Sequence, residues 1–469
     1  MLGDVFVVVI FLFLGIGVYA KEQTEPPKQN KQLSSKQNEI PEDEEVLEDS
    51  PVEDDFGKED EFEKEEIKDS PYGFAGFVRQ LFHRTKTGTS QKILLSSYTR
   101  IRAGGSCTKD KFKIDYLQNV DGIFGNHADS DYYKLLWLPR TRNRSMSMEK
   151  VYDKNDYIAR TDIHRLSFEY RLSSLNIKVG RQAVSWGQGR LLNPMNLITP
   201  INPYMMDVED LQGADAINIT KSINALDSVQ VVIAPYKRLD NNDLTKLYYQ
   251  DVNALARYKA TFNNLDLGIL GGHHFHSWVW GTEFTLTKWN ASWRFAYLGR
   301  GEKKLSDYPY YRYPIPPQIS HQAVVGASYA FYGKLRTTFE IFANSAHYSY
   351  DPALKRNYED ETLVSLNVIS PDRYDSSYFR TTGRIITKNP VLLELLLGYD
   401  VTELLSTTFF LIGDPYGKSA FFGPFVTYNI TDNITWTIAG QYFYLASKDT
   451  NPEFKGAQSS IFSYIKWYF

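Results

Sequence analysis

Residues 460–469 read Ser460-Ile461-Phe462-Ser463-Tyr464-Ile465-Lys466-Trp467-Tyr468-Phe469, and their two-residue period decides the fold. Side chains alternate across an extended chain, so Ile461, Ile465, Trp467 and Phe469 share one face. A strand edge this apolar invites aggregation in a water-soluble protein. A sheet that closes on itself in an apolar medium has no such edge.

The same period recurs upstream. In Arg165 to Arg171, Leu166, Phe168 and Tyr170 point one way and Arg165, Ser167, Glu169 and Arg171 the other. Phe284 and Leu286 oppose Glu283, Thr285 and Thr287, and Leu335, Phe339 and Ile341 oppose Arg336, Thr338 and Glu340. Ile434, Trp436 and Ile438 oppose Thr435, Thr437 and Gln441. These segments of about ten residues start near residue 91 and are separated by turn signals. Short links at Ser173-Ser174, Asn263-Asn264, Gly333-Lys334, Asn389-Pro390 and Asp432-Asn433 suit hairpins. Long polar links cover 119–131, 186–212, 300–318 and 346–376. Short turns at one end and long loops at the other predict an all-β, antiparallel up-and-down transmembrane barrel over 89–469, with about 18 strands and 16 as the next count.

Composition fits this reading and narrows it. The 469 residues are 42% hydrophobic and 15% aromatic, enough for a large folded body, and one Cys excludes an internal disulfide. The net charge of -4 hides two opposed blocks: residues 21–70 carry 19 acids and 7 bases, while residues 71–469 carry 45 bases and 36 acids. Val5 to Ala20 is an apolar run ending Val18-Tyr19-Ala20, which predicts a signal peptide over 1–20, atypical in carrying Asp4 and no base. A retained anchor is the alternative, although a helical span needs about 20 apolar residues. Later in the chain the richest stretch, Val391 to Gly413, is interrupted by Glu394, Asp400 and Glu403, which excludes a helical membrane protein. Residues 21–70 are too polar to offset chain entropy and predict a disordered acidic tail in the periplasm, a spacer or a partner-binding arm that also competes as a polyanion for a basic pore mouth. Over 71–88, Phe74, Phe77, Val78, Leu81 and Phe82 suggest a short amphipathic helix or linker.

Ending on Phe, the last segment resembles the terminal signal of bacterial outer-membrane proteins, which implies recognition of Trp467 and Phe469 by the barrel-assembly machinery. If apolar side chains face membrane lipid, the opposite phase lines a lumen. It carries Arg165, Arg171, Lys178, Arg257, Lys259, Arg294, Arg336, Arg380 and Arg384 against Glu169, Glu283, Glu340 and Asp266. Such rings concentrate anions in a low-dielectric wall. Salt bridges that only brace the wall are the alternative use of the same residues.

One stretch is more specific: Val179-Gly180-Arg181-Gln182-Ala183-Val184-Ser185-Trp186-Gly187-Gln188-Gly189-Arg190, then Asn193-Pro194 and Ile198-Thr199-Pro200-Ile201-Asn202-Pro203. Gly180, Gly187 and Gly189 permit tight turns, and Pro194, Pro200 and Pro203 stiffen the chain beyond them, as in a loop folded into the lumen. Arg181 is out of phase with Lys178, so either Gly180 marks a bulge that re-aims it inward or Gln182 lines the pore and Arg181 the rim. A folded-in brace is the structural alternative. The stretch is similar to one in the alginate-export-like group of bacterial outer-membrane porins and exporters, densest over 163–218 and including Gly213-Ala214-Asp215-Ala216. Where that group commonly carries Asp, this chain has Asn196. The resemblance implies an 18-stranded barrel that passes polysaccharide or small solutes.

Other chemistry is poorly represented. His273, His274 and His276 lack a nearby carboxylate or Cys and read as a polar rim rather than a metal site. There is no Gly-x-Ser-x-Gly elbow and no phosphate-cradling loop, so no enzyme, cofactor or nucleic-acid function is expected. The expectation is a passive channel for anionic or polar solutes, narrowed by the 186–212 loop, with Arg181 and Arg190 adding attraction. The rival is a plugged barrel that anchors envelope material.

Overall fold

The computed structural model describes residues 72–86, 93–125, 143–146, 148–154, 157–200, 211, 213–236, 252–275, 277–301, 319–345, 347, 385, 387–446, 452–454 and 459–469. Its regular structure there is entirely β, in nineteen strands forming one antiparallel sheet. In chain order these are β1 (Tyr72–Lys86), β2 (Ile93–Lys109), β3 (Phe112–Gly125), β4 (Glu149–Lys154), β5 (Tyr157–Arg171), β6 (Leu175–Gln182), β7 (Ala214–Ser222), β8 (Ser228–Pro235), β9 (Val252–Phe262) and β10 (Leu265–His274). They continue as β11 (Ser277–Lys288), β12 (Ala291–Gly301), β13 (Ile319–Phe331), β14 (Leu335–Asn344), β15 (Val391–Asp400), β16 (Leu405–Asp414), β17 (Ser419–Thr431), β18 (Ile434–Leu445) and β19 (Ser460–Tyr468).

The sheet closes where β1 pairs with β19, Phe77 opposite Tyr468 through Thr85 opposite Ser460. Nineteen strands make eighteen positions around the wall. β3 takes one side of β5 along its length, while the other side pairs first with β4, Glu149 opposite Asp162, and then with β6, Arg181 opposite Leu166. β4 therefore fills the wall above the point where β6 leaves it.

Residues 72–86 are the strand β1, not a helix or linker. Phe77 and Leu81 are buried while Phe74 and Phe82 are exposed, so apolar residues occupy both faces and imitate a helical stripe. Elsewhere alternation sets the faces: Phe168, Phe339, Ile465 and Trp467 are exposed outside while Ser167, Glu169, Thr338 and Glu340 are buried inside. The links at 110–111, 172–174, 263–264, 289–290, 332–334 and 432–433 are short and lie at the end where β1 starts and β19 stops. Trp289 (φ 57°) and Asn290 (φ 54°) are both left-handed, as a two-residue hairpin of the type that matches strand twist requires. Asn389-Pro390 is no hairpin. It lies directly before β15 at the opposite end, where a long segment arrives from β14.

Candidate lumen constriction

After Gln182 the chain turns off the wall and runs inside the barrel, where Val184, Trp186, Leu191, Leu192, Met195, Leu197 and Ile198 are buried. They pack in one cluster with inward side chains of β7 to β17, among them Val232, Leu255, Leu270, Val279, Leu298, Phe342 and Phe410. Gly187 (φ +95°) makes the turn that Cβ-bearing residues resist. Asn193 then staples it: its Nδ2 donates to the Trp186 carbonyl (3.0 Å) and its Oδ1 accepts from the Met195 N–H (3.1 Å). The Thr199 hydroxyl donates to the Val184 carbonyl (2.6 Å), closing the segment on itself.

The segment is fixed to walls on both sides. Trp186 Nε1 donates to Gln230 on β8 (2.7 Å), and the Leu197 carbonyl meets His274 Nε2 on β10 (3.1 Å). At its tip the Arg190 N–H donates to Glu340 Oε2 on β14 (2.8 Å), and the Leu192 N–H to Glu394 Oε2 on β15 (3.1 Å). β14 and β15 lie eight and nine positions from β6 in a ring of eighteen, so this strap crosses the barrel to the opposite wall. Buried carboxylates that accept backbone donors fix an otherwise irregular chain, whose N–H groups would lack partners. Asn196 is the flaw in the strap: it is buried, and neither its Oδ1 nor its Nδ2 has a hydrogen-bond partner.

Arg181 is not a pore-lining charge. Its side chain is buried and donates from Nε to Asp215 Oδ1 (2.8 Å), from Nη2 to Asp215 Oδ2 (3.1 Å) and the Met146 carbonyl (2.7 Å), and from Nη1 to the Ile163 carbonyl (2.8 Å). The guanidinium clasps β5, β6, β7 and the chain entering β4 at the point where β6 departs. Gly180 (φ +119°) carries no register shift. The bulge lies instead on β5, where Leu117 pairs with Arg165 and Gln118 with Ile163, leaving out His164.

Other residues expected in the lumen divide into groups. Arg165, Lys178, Gln182 and Arg257 join Lys113 around a cavity of about 360 Å³ next to the strap. Gln182 also donates to the Ala216 carbonyl (3.1 Å). Arg257 pairs with Glu283 (2.8 Å), Lys178 with Asp115 (3.4 Å), Arg171 with Glu169, and Arg294 with Glu340 (3.3 Å). Arg336 holds Asp400 through both guanidinium ends (2.7 and 3.1 Å) beside a second cavity of about 670 Å³. Lys259 stands in register with Gly268 and Ser228. Among the motif residues, Trp186 and Pro194 are buried, Gly189 faces the Leu192 carbonyl with no room for a Cβ, and Pro200 ends the described strap. Trp467 and Phe469 sit outside, where the Phe469 N–H donates to the Gly76 carbonyl (3.0 Å). Arg380 and Arg384 lie outside the described residues, as do residues 1–20 and 21–70, expected to be a signal peptide and an acidic tail. His274 does not lie at a rim but is wholly buried against the strap, and among the described residues no three His, Cys, Asp or Glu side chains gather to hold a metal.

The densest basic array was not anticipated. Lys466 on β19 opposes Arg79 on β1, Arg79 opposes Arg100 on β2, Arg100 opposes Asp121 on β3, and Asp121 opposes Arg160 on β5. Arg100 donates to Asp121 (2.7 Å), and Arg102, one inward step away, to Asn119 (2.7 Å). Aromatic faces support the rest: the Arg79 guanidinium lies 5.4 Å from the Tyr98 ring and 5.7 Å from Tyr464, and Lys466 lies 4.6 Å from Phe77. Bases placed directly opposite one another cost stability in a sheet. Arg100-Ile101-Arg102 carried the signal, but the helical reading of β1 hid its partner Arg79.

The chain matches no family model and no curated protein sequence. Its fold is that of solved β-barrel structures. Acinetobacter baumannii OccAB1 is 12% identical, with 85% of this chain and 96% of that chain covered and a TM-score of 0.50. Acinetobacter baumannii OccAB4 is 8% identical, with 85% and 98% covered and a TM-score of 0.51, so the likeness is one of fold, an outer-membrane-type β-barrel.

Proposed function

We propose that the protein is a passive channel of the bacterial outer membrane that admits small anionic or polar solutes past the strap. The observation that carries this reading is the Lys466–Arg79–Arg100–Arg160 row. Lys466, Arg79 and Arg100 stand in directly opposed positions, and Asp121 and then Arg160, itself 3.5 Å from Asp162, extend the row; attraction of anions gives this run of bases a use. An outward face of Phe, Ile, Val and Trp suits lipid. In this reading the short-turn end and the acidic tail face the periplasm. Kinship with the alginate-export-like group rests on the 179–203 motif, whose residues 183–200 build the strap, and polysaccharide passage rests on that kinship alone.

Planar-bilayer conductance of the refolded protein under a salt gradient tests the proposal. Stable steps that reverse on the anion side are the expected result. One observation favours a second reading, a closed anchoring barrel: the strap is fastened at both walls through Gln230, Glu340 and Glu394. A correctly inserted barrel that stays silent would select that reading.

A further inference from the structure

A cavity of about 670 Å³ lies on the lumen side of β14, β15 and β16, within the roughly 300–1,000 Å³ usual for small-molecule sites. At the short-turn end it is bordered by Lys334 and by Thr402 to Leu404, and at its far end by Thr338 and Leu396. Two positions further along the same strands stand Glu340 and Glu394, which hold the strap's tip. The cavity therefore adjoins the constriction from the short-turn side.

Gly398 creates the hollow. It stands between Arg336 on β14 and Thr408 on β16, and a Cβ there would approach Arg336 Nε at 3.4 Å. The lining is polar and balanced in charge, Lys334 and Arg336 against Asp400 and Glu403, with Arg336 and Asp400 joined at both guanidinium ends. Such a pair presents donors and acceptors side by side without net charge, which suits adjacent hydroxyls better than it suits an anion. Three neutral groups extend the row: among the described residues, the side chains of Ser406, Thr408 and Asn429 have no hydrogen-bond partner in the protein. Their capacity is left to solvent or solute.

We propose that this cavity binds a neutral, polyhydroxylated solute of the size of a mono- or disaccharide. Its hydroxyls replace water on the Arg336–Asp400 pair and on Ser406, Thr408 and Asn429, while the C–H face of a ring covers Leu396 and Leu404. Trading water for solute hydroxyls is nearly even in energy, so half-saturation falls in roughly the millimolar range. Binding here needs the folded barrel and not conduction.

The experiment uses the full chain, folded in a detergent without sugar headgroups and titrated with sucrose, with saturation-transfer difference NMR as the readout. Saturable sucrose signals are the expected result. Gly398→Leu, which fills the hollow, should weaken binding at least about tenfold. Ser406→Ala with Thr408→Val, which removes hydroxyls that hold nothing in the protein, should weaken it at least about threefold, and this pair carries the test if Gly398→Leu does not fold. Heat-shifted gel mobility identifies the folded barrels. Glucose and glucuronate share a ring and differ in one carboxylate, so their affinities should agree within about twofold and ignore salt. No saturable sucrose signal from the folded wild type, or equal signals from wild type and folded variants, overturns the proposal. So does glucuronate binding at least about tenfold tighter than glucose and lost near about 1 M salt, which would make the cavity an anion site. A barrel that binds sucrose but stays silent in a bilayer would remove the channel reading and leave this one standing.

Discussion

Glu340 and Glu394 stand directly opposite each other on β14 and β15, and each accepts a backbone N–H from the strap that has crossed from β6. Two carboxylates in opposed positions repel, and here the Arg190 and Leu192 donors with Arg294 offset that repulsion. A hydrogen bond of this kind contributes about 0.5–1.5 kcal/mol, and leaving a buried N–H without its acceptor costs about 1–3 kcal/mol. Glu340→Ala with Glu394→Ala should therefore free the strap's tip, with larger and noisier single-channel steps. Glu394→Gln keeps an acceptor oxygen for the Leu192 N–H, so its conductance should stay near wild type. Matching behaviour of the Ala pair and the wild type would show that the strap is held elsewhere.

Arg181 should matter for folding rather than for permeation. Truncating it leaves Asp215 buried without its bidentate partner, a change of about 3–5 kcal/mol. Arg181→Met should lower the temperature at which the refolded barrel loses its compact gel mobility. Arg181→Lys should not rescue it, because one ammonium cannot serve Asp215, Met146 and Ile163 from a planar fork. A stable Arg181→Lys barrel with altered ion selectivity would return this residue to the pore.

The wall was legible because lipid and lumen impose a two-residue period, visible where only one face is apolar, as at Phe168 against Glu169 or Phe339 against Glu340. β1 hid that period because Phe77 and Leu81 are apolar inside the barrel as well as Phe74 and Phe82 outside. The glycines and prolines of 180–200 announced a chain leaving the wall, but not its destination. That depends on Glu394, which lies in a Leu-rich strand and pairs with a residue more than two hundred positions earlier. Arg181 looked like a pore residue because charge type alone does not separate a solvated guanidinium from a saturated one. The sharing of one wall position by β4 and β6 is a tertiary fact with no local signal.

Asn196 offers a test of the strap's interior. A buried carboxamide without partners loses about 1–3 kcal/mol of hydration that nothing returns. Asn196→Leu, which keeps the branching at Cγ, should raise thermal stability by roughly 1 kcal/mol. A clear loss of stability would mean that a bound water or solute satisfies the amide.

The opposed bases give a prediction for two measurements. Arg79→Gln with Arg100→Gln should reduce anion selectivity roughly two- to threefold in the reversal potential. The pair should also lower stability, because Arg100→Gln leaves the buried Asp121 without its ion-pair partner (2.7 Å), which outweighs the relief of the opposed bases. Lower stability together with unchanged selectivity would make the row a structural feature and remove the main support for an anion path.

At the long-loop end, Glu453 ties three segments together, accepting from the Lys388 and Asn389 N–H groups (2.6 and 3.2 Å) while its own N–H donates to Asp414 (2.8 Å). Lys388 answers with Nζ on the Pro452 carbonyl (3.1 Å). Burial, aided by the neighbouring Asp414 and opposed by the Lys388 and Asn389 contacts, pushes the Glu453 carboxyl up from 4.5 to about 7. A carboxyl raised on folding stabilises the clasp fully below its unfolded value, and that contribution is lost as pH rises through about 7. Proteolysis within 446–459 should thus be slow at acidic pH and accelerate on going to alkaline pH, after correction for the protease's own profile. Glu453→Gln should flatten the dependence and keep the loop protected. A wild-type profile that is already flat, or one that runs the other way, would show that this carboxyl is ionised throughout and that Lys388 outweighs its burial.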